Sequence, residues 1–226
     1  ILQNIQSTQT MSELFEAMKD SCWLRVSGRP VLFLYAVKDT NWTAEQVAYV
    51  RRMAYRSGIG ESLYIIGMNT DYNDFDAKIY DRDMDAVSMY SYASIIQGEP
   101  YSYYTSRLES LTDAIVNATT SEEHDHQFVP IFSLGRDGRP RIKTSVSWIE
   151  GDPNAELDKD KPYGNKYTLE ADMETVKSHI ANIYKVTQEH ADVTQPNLIC
   201  AYGWNEHDEG GWLCPTLNCD ANGNLS

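Results

Sequence analysis

The densest group of chemically capable side chains lies near the carboxyl end, in Trp204-Asn205-Glu206-His207-Asp208-Glu209-Gly210-Gly211-Trp212. Two glutamates three residues apart, flanked by indoles and an amide, suit work on a glycosidic bond. One carboxyl must hold a proton to release the leaving oxygen, while the other stays ionised to face the positive sugar ring or take a nucleophile's proton. Like charges held close push their pKa values apart, so one residue type can supply both states. Trp204 and Trp212 offer apolar faces for sugar rings, and Asn205 can hold a sugar hydroxyl. The competing reading of the same spacing is a solvated acidic turn whose tryptophans finish a rim.

Other polar clusters carry less. Glu122-Glu123-His124-Asp125-His126 has metal-ligand residue types but precedes an apolar run, where a solvated acidic loop is expected. Asp71, Asn73, Asp74 and Asp76 lack the glycine and the terminal glutamate of an EF-hand loop. His179 falls beside the apolar stripe of a helical pattern, which predicts a packed or half-exposed histidine, and His190 follows that helix, where a cation is favoured. Neither Ser133 nor Ser147 sits in a G-x-S-x-G setting. Cys22, Cys200, Cys214 and Cys219 form no pair of zinc knuckles, so they read as buried thiols, with Cys214 and Cys219 spaced for a small loop disulfide. No metal and no cofactor are expected.

These residues must be held by something, and the chain alternates two kinds of segment. Short apolar runs occur at Val31–Val37, Leu63–Met68, Ala86–Tyr92, Phe128–Leu134 and Leu198–Trp204. Most are continuous rather than alternating, as strands buried on both faces are. Between them lie helical patterns. Thr43 and Gln46 have capping-box spacing at the start of a helix that stops at Gly58. Ser102 through Asn117 sets Leu108, Leu111 and Ile115 on one stripe, and Leu169 through Val186 sets Leu169, Met173, Val176, Ile180 and Ile183 on another. Ahead of the first strand, Thr10 and Glu13 are spaced to box a short helix carrying Leu14, Phe15 and Met18.

Strand–helix alternation implies a parallel sheet with helical crossovers, either doubly wound and open or closed as a (β/α)8 barrel. A nucleotide-binding open sheet needs a glycine-rich turn after its first strand, and Lys38-Asp39-Thr40-Asn41 has none. In both architectures ligands sit beyond the carboxyl ends of the strands. That directs attention to Lys38 and Asp39, to Tyr90 and Tyr92 with Gln97 and Glu99 further on, and to the long Gly135–Tyr167 loop with Trp148, Glu150 and Asp152.

Composition narrows the function classes. The 42% hydrophobic and 23% charged residues are a globular balance. With 33 acidic against 19 basic residues the formal charge is −14, which opposes nucleic-acid and anionic-membrane partners. No segment reaches the roughly 18 apolar residues of a membrane span. Asn41-Trp-Thr43, Asn117-Ala-Thr119 and Asn224-Leu-Ser226 fit the glycosylation pattern, but about two such matches are expected by chance, so they decide nothing.

Trp204-Asn205-Glu206-x-x-Glu209-Gly210, following an apolar strand and trailed by Leu213-x-Pro215, resembles the carboxyl-terminal signature of glycoside hydrolase family 99-like barrels, a group that includes endo-α-mannosidases and domains of bacterial surface-polysaccharide clusters. Other stretches agree in order. Trp23 to Val31 is similar to the family's x-V-x-G-K-P-V lead into a middle strand, Arg51 to Met68 to its helix–Gly–strand unit, and Asp85-Ala86-Val87 with Tyr90-Ser91-Tyr92 to its next strand. Trp148 stands where the family often has a Trp-Asp pair.

The resemblance implies a single catalytic domain over residues 1–226, the last five or so β/α units of a (β/α)8 TIM barrel, with its amino-terminal strands missing. Because the chain opens at Ile1 without a leader, it is expected to be processed or a fragment, with a further chain segment completing the barrel. The implied activity is hydrolysis of an oligosaccharide or polysaccharide. Configuration would be retained through the substrate's own 2-hydroxyl, with Glu206 its base and Glu209 the acid that later deprotonates water. Tyr90, Tyr92, Trp148, Trp204, Asn205, His207 and Trp212 would bind sugar. A glycan substrate favours a secreted or periplasmic location. Alternatives on the same scaffold are a polysaccharide-building transferase and a non-catalytic glycan-binding barrel. The chain departs from the family pattern at His207, where the family has Trp, at Cys214, where it has an acid, and at Ile149, where it has Asp; these positions bear on which sugar is bound.

Overall fold

The computed structural model describes residues 8–35, 37, 42–59, 62–69, 83–92, 97–121, 127–139 and 167–203. The chain opens with helix α1 (Thr8–Ala17), then β1 (Arg25–Val26), β2 (Arg29–Tyr35), α2 (Ala44–Arg56), β3 (Tyr64–Asn69), β4 (Ala86–Met89) and β5 (Gln97–Glu99). Helix α3 (Tyr101–Ser121), β6 (Gln127–Val129), β7 (Ile131–Ser133), β8 (Tyr167–Thr168), α4 (Met173–Glu189) and β9 (Cys200–Tyr202) follow. The chain divides into two compact units, one of Ile1–Ala93, Glu109–Ile131 and Ala181–Cys200, the other of Ser94–Leu108, Phe132–Ile180 and Ala201–Ser226.

In the first unit β1 to β4 and β6 form one sheet in the order β1-β2-β3-β4-β6. Strands β2, β3, β4 and β6 are mutually parallel, and β1 folds back on β2 through a two-residue hairpin. Ser27 and Gly28 both have positive φ (49° and 79°), the backbone that tight hairpins require and glycine supplies without strain. Parallel strands placed in chain order, with no reversal, are the arrangement of a barrel segment; a doubly wound sheet reverses at its switch point. Pro130 separates β6 from β7 because it has no N–H to give to a ladder. Its carbonyl accepts from Cys200 N–H at 2.9 Å, so the last apolar run lies beside the fourth, and β7 pairs with β9. All five apolar runs seen in the sequence are therefore strands.

The register sorts side chains onto two faces. Val31↔Tyr64, Ile66↔Ala86 and Ser88↔Val129 are paired positions, so these residues point the same way. Val31, Tyr64, Ile66, Ala86 and Val129 make a buried cluster with Val26, Leu198 and Cys200 packed on it. On the other face Leu32, Leu34, Ile65, Val87, Met89 and Phe128 are buried too, as parallel strands with crossover helices demand.

The amino ends of the strands are tied by charge. The Asp85 carboxylate accepts from Arg29 at 2.6 Å, from Arg51 at 2.8 Å and from the Ile65 N–H at 2.8 Å. Arg29 also lies over the Tyr64 ring at 5.1 Å. Burial, and then the negative Asp85 nearby, push the Tyr64 phenol up to about 12.

Helix α2 begins with the capping box expected from its sequence: Thr43 Oγ1 accepts from Gln46 N–H at 3.3 Å, and Gln46 Oε1 accepts from Thr43 N–H at 2.7 Å. Val47, Val50 and Ala54 form its buried stripe. Thr10 is not the first residue of its helix. Helix α1 already starts at Thr8, so Thr10 lies inside its first turn, although Phe15 and Met18 are buried as expected.

Two further expectations are corrected. In α3 Leu111 is only half-buried, and the covered stripe runs Tyr101, Tyr104, Leu108, Thr112, Ile115 and Thr119. Threonine passes as core there because its hydroxyl can return to the helix, as Thr119 does to the Ile115 carbonyl at 2.8 Å. In α4 the stripe is rotated. Asp172 caps the first turn by accepting from Thr175 N–H at 2.9 Å, so Leu169 lies outside the helix. Leu169, Met173 and Ile180 are exposed, while His179, Ile183 and Thr187 are buried. Among the described residues no helix is long and apolar enough to cross a membrane.

Candidate active site

The carboxyl ends of the parallel strands carry an aromatic face. On β2 the side chains of Phe33 and Tyr35 share the face of Val31, but where Val31 is covered, Phe33 is 37% and Tyr35 43% exposed. Tyr90 follows β4 and is 38% exposed. Its N–H bonds to the Asn69 carbonyl at 2.7 Å, which continues the β3–β4 ladder and holds the tyrosine in register. The Tyr35 and Tyr90 rings meet at 4.7 Å with a 57° tilt. That face is thus closed and apolar at its amino half, and open and aromatic at its carboxyl half. Exposed aromatic rings with hydroxyl tips can cover the apolar side of a sugar while bonding its edge.

Of the sequence-derived candidates, Tyr90 lies on this face, and Tyr92, two residues on, is half-buried. Tyr35 was not singled out by sequence. It is the last residue of its strand, whereas attention went to the residues after each strand; counting every second position back from the end of Val-Leu-Phe-Leu-Tyr would have found it. Glu206, Glu209, Trp148, Trp204, Asn205, His207 and Trp212 lie outside the described residues, as do Lys38, Asp39, Glu150, Asp152, the Asp71–Asp76 acids and the Glu122–His126 cluster. The chain reaches the first of these site residues directly from β9, through Gly203 at φ 82°.

Cys200 packs against the buried Val31, Tyr64, Ile66, Ala86 and Val129 cluster of that face. Burial raises its thiol to about 11, with the hydrogen bond to Ser88 opposing the shift only in part. Cys22, expected to be buried, is exposed in the turn after α1. At pH 8 iodoacetamide is expected to alkylate Cys22 about 100-fold faster than Cys200, because only the thiolate attacks. Peptide mass spectrometry over a time course reads both, and equal rates would contradict the burial of Cys200. Cys214 and Cys219 lie outside the described residues.

The second unit holds its own polar core. Strand β5 pairs in parallel with β8, so Tyr167, expected to end a long loop, belongs to a strand. Glu99 is buried at 4% exposure, and the Arg107 guanidinium reaches both its oxygens at 2.6 and 2.5 Å. Tyr101 donates to the Ser133 carbonyl at 2.8 Å, and Tyr104 bonds the Ser133 hydroxyl at 3.0 Å. His179, packed as expected, meets the Tyr101 ring edge-on at 6.3 Å. Near the loop's start, burial works to raise the Asp137 carboxyl, but the side-chain and backbone hydrogen bonds from Arg139 and the charge of its guanidinium together outweigh it and hold the carboxyl below its usual range. Among the described residues no three His, Cys, Asp or Glu come together as a metal site.

A family model described as "Glycosyltransferase WbsX" matches residues 3–223. A solved structure titled "Glycoside hydrolase-like protein" superimposes with a TM-score of 0.64 at 15% identity, covering 95% of this chain and 55% of its own length. The chain therefore spans about half of that protein, and at this identity the likeness is one of fold. No curated protein sequence matches the chain.

Proposed function

We propose, for a chain that belongs to the WbsX glycosyltransferase family, that it acts on glycans and breaks a glycosidic bond at the carboxyl end of a (β/α)8 barrel. The observation that carries this reading is the open aromatic face of Phe33, Tyr35 and Tyr90 at the carboxyl ends of parallel strands laid out in chain order. Catalytic groups of barrel enzymes come from those ends. The solved structure of similar fold adds support through its title, and the chain would supply the later β/α units of one catalytic domain.

The Trp204–Trp212 segment follows β9 and would bring the acids. Glu206 takes the proton of the substrate's 2-hydroxyl as that oxygen attacks the anomeric carbon, and Glu209 gives its proton to the departing oxygen. Water then opens the intermediate, with Glu209 accepting the water proton and Glu206 returning its own. An intramolecular hydroxyl is already positioned, which avoids much of the entropy cost of bringing in a nucleophile. Tyr90, Tyr92, Trp148, Trp204, Asn205, His207 and Trp212 would bind sugar, as the family 99-like pattern implies.

Incubation with polysaccharides should release reducing ends, with retained anomeric configuration seen by NMR before mutarotation. Tyr35→Ala and Tyr90→Ala are each expected to weaken oligosaccharide binding about ten-fold without lowering Tm, since both rings are exposed. Unaltered binding in both variants would remove the aromatic face from the site.

A second reading, taken from the family's description, is transfer of the glycosyl group to a sugar hydroxyl in place of water. Product analysis with an acceptor oligosaccharide present separates the two, because transfer lengthens the acceptor and hydrolysis does not.

A further inference from the structure

Helix α4 buries one side and leaves an apolar row open on another. Met173 is 67%, Ile180 39% and Tyr184 54% exposed. At about 100° per residue these three fall within about 40° of one another, a line along three turns of the helix. His179, Ile183 and Thr187 form the core side. On the flank opposite the row, the Asn182 amide donates to the Glu109 carboxylate of α3 at 2.9 Å, so the row faces away from α3. Exposed apolar residues scattered singly need no explanation. A contiguous row at helical spacing is the form in which one helix docks on another.

The charges beside the row say which helix fits. Glu174 and Lys185 are exposed, and both lie on the flank of the row away from the core side. Each has a partner on its own helix, Lys177 for Glu174 at 2.8 Å and Glu189 for Lys185 at 3.4 Å. Lys177 stands at the edge of the row, and Glu174 draws its ammonium outward, so the lysine methylenes extend the apolar surface. Glu189 lies further round the helix from the row. The exposed Glu170, Asp172 and Glu174 make the amino end acidic, and Lys185 stands toward the carboxyl end. A flank ordered in that way complements its own copy when reversed.

We propose that α4 is a self-association face, on which a second copy of this chain lays its own α4 antiparallel about a two-fold axis. Centred on the row, the pairing sets Met173 of each copy beside Tyr184 of the other, a sulfur–aromatic contact, with the two Ile180 side chains flanking the axis. Glu174 of each copy then stands within about 3 Å, measured along the helix, of the level of Lys185 of the other, on the same flank. A parallel pair turns that flank toward the partner's core side and loses both contacts. Exposed ion pairs add little strength, so they fix the direction while the apolar row supplies the affinity. None of these residues belongs to the aromatic face of β2 and β4, and the proposal does not rest on the glycan reading.

Sedimentation equilibrium of the whole chain is expected to show the mass rising from 25.7 kDa toward twice that value as concentration increases. A single helix pair is a small interface, so the expected Kd is about 10–100 μM, read over about 1–500 μM protein. Ile180→Glu should weaken association by about ten-fold or more without lowering Tm, because the side chain it replaces is already exposed. Glu174→Lys and Lys185→Glu should each weaken it about three- to ten-fold. An equimolar mixture of those two variants should associate as tightly as the parent, since each copy offers the charge that the other lacks. A parent that keeps the monomer mass throughout overturns the proposal and leaves the row to a different partner. Association unchanged by Ile180→Glu puts the interface elsewhere and overturns it as well. A mixture no tighter than either single variant overturns the antiparallel pairing.

Discussion

Replacing Glu209 by glutamine is expected to cut glycan turnover by about 10²–10⁴-fold while leaving glycan affinity nearly unchanged, because the amide keeps the shape and loses the transferable proton. The loss should depend on the leaving group. An aryl glycoside whose phenol is acidic departs without a proton, so the variant should recover most of its first-step rate on it. A natural sugar leaving group, whose conjugate acid must be made at the enzyme, should show the full defect. Glu206→Gln should not be rescued this way, since the base role proposed for it concerns the attacking hydroxyl and not the departing one. Steady-state kinetics on the two substrate types, together with calorimetric binding of an oligosaccharide, read the result. A Glu209→Gln enzyme as fast as the parent on a natural glycan would remove this residue as the acid.

Asp85→Ala is expected to be the most damaging single change to stability among the ion pairs of the described residues, by about 3 kcal/mol. The carboxylate holds Arg29, Arg51 and the Ile65 N–H together, and its side chain is only 18% exposed. Removing it leaves two guanidinium groups, 25% and 15% exposed, without this partner and deprives a strand N–H of its acceptor. For a chain of this length that loss lowers Tm by roughly 6–12 °C. Asp85→Asn keeps an acceptor but not the charge, and should fall between the two. Thermal unfolding of the three proteins tests the order. An alanine variant with the parent's Tm would mean the network contributes nothing net, as exposed pairs often do.

Much of the fold was legible because it is written locally. Continuous apolar runs marked strands covered on both faces, and Thr43 with Gln46 marked the start of α2 through a contact three residues long. Helix α4 was misread on the same logic. Its apolar residues recur at helical spacing through Leu169, Met173 and Ile180, yet these are exposed, and His179 and Thr187 are buried. Polar residues enter a core when their hydrogen bonds are made there, as Thr187 does to the Tyr184 carbonyl at 2.7 Å, and hydropathy cannot register a bond. Strands β5 and β8 escaped because three and two residues carry no periodicity.

By itself the sequence determined the succession of strands and helices, the caps that start them, and the position of the acid-rich Trp204–Trp212 segment just after the last strand. Only the tertiary structure decided which side chains share a face and which of those stay open. Tyr35 and Tyr90 meet although 55 residues separate them, because β2, β3 and β4 pair in one register out of several that their composition allows. A shift of one residue would turn every side chain of a strand to the opposite face. That choice is made by hydrogen bonds and packing between distant segments, which no short stretch of sequence contains.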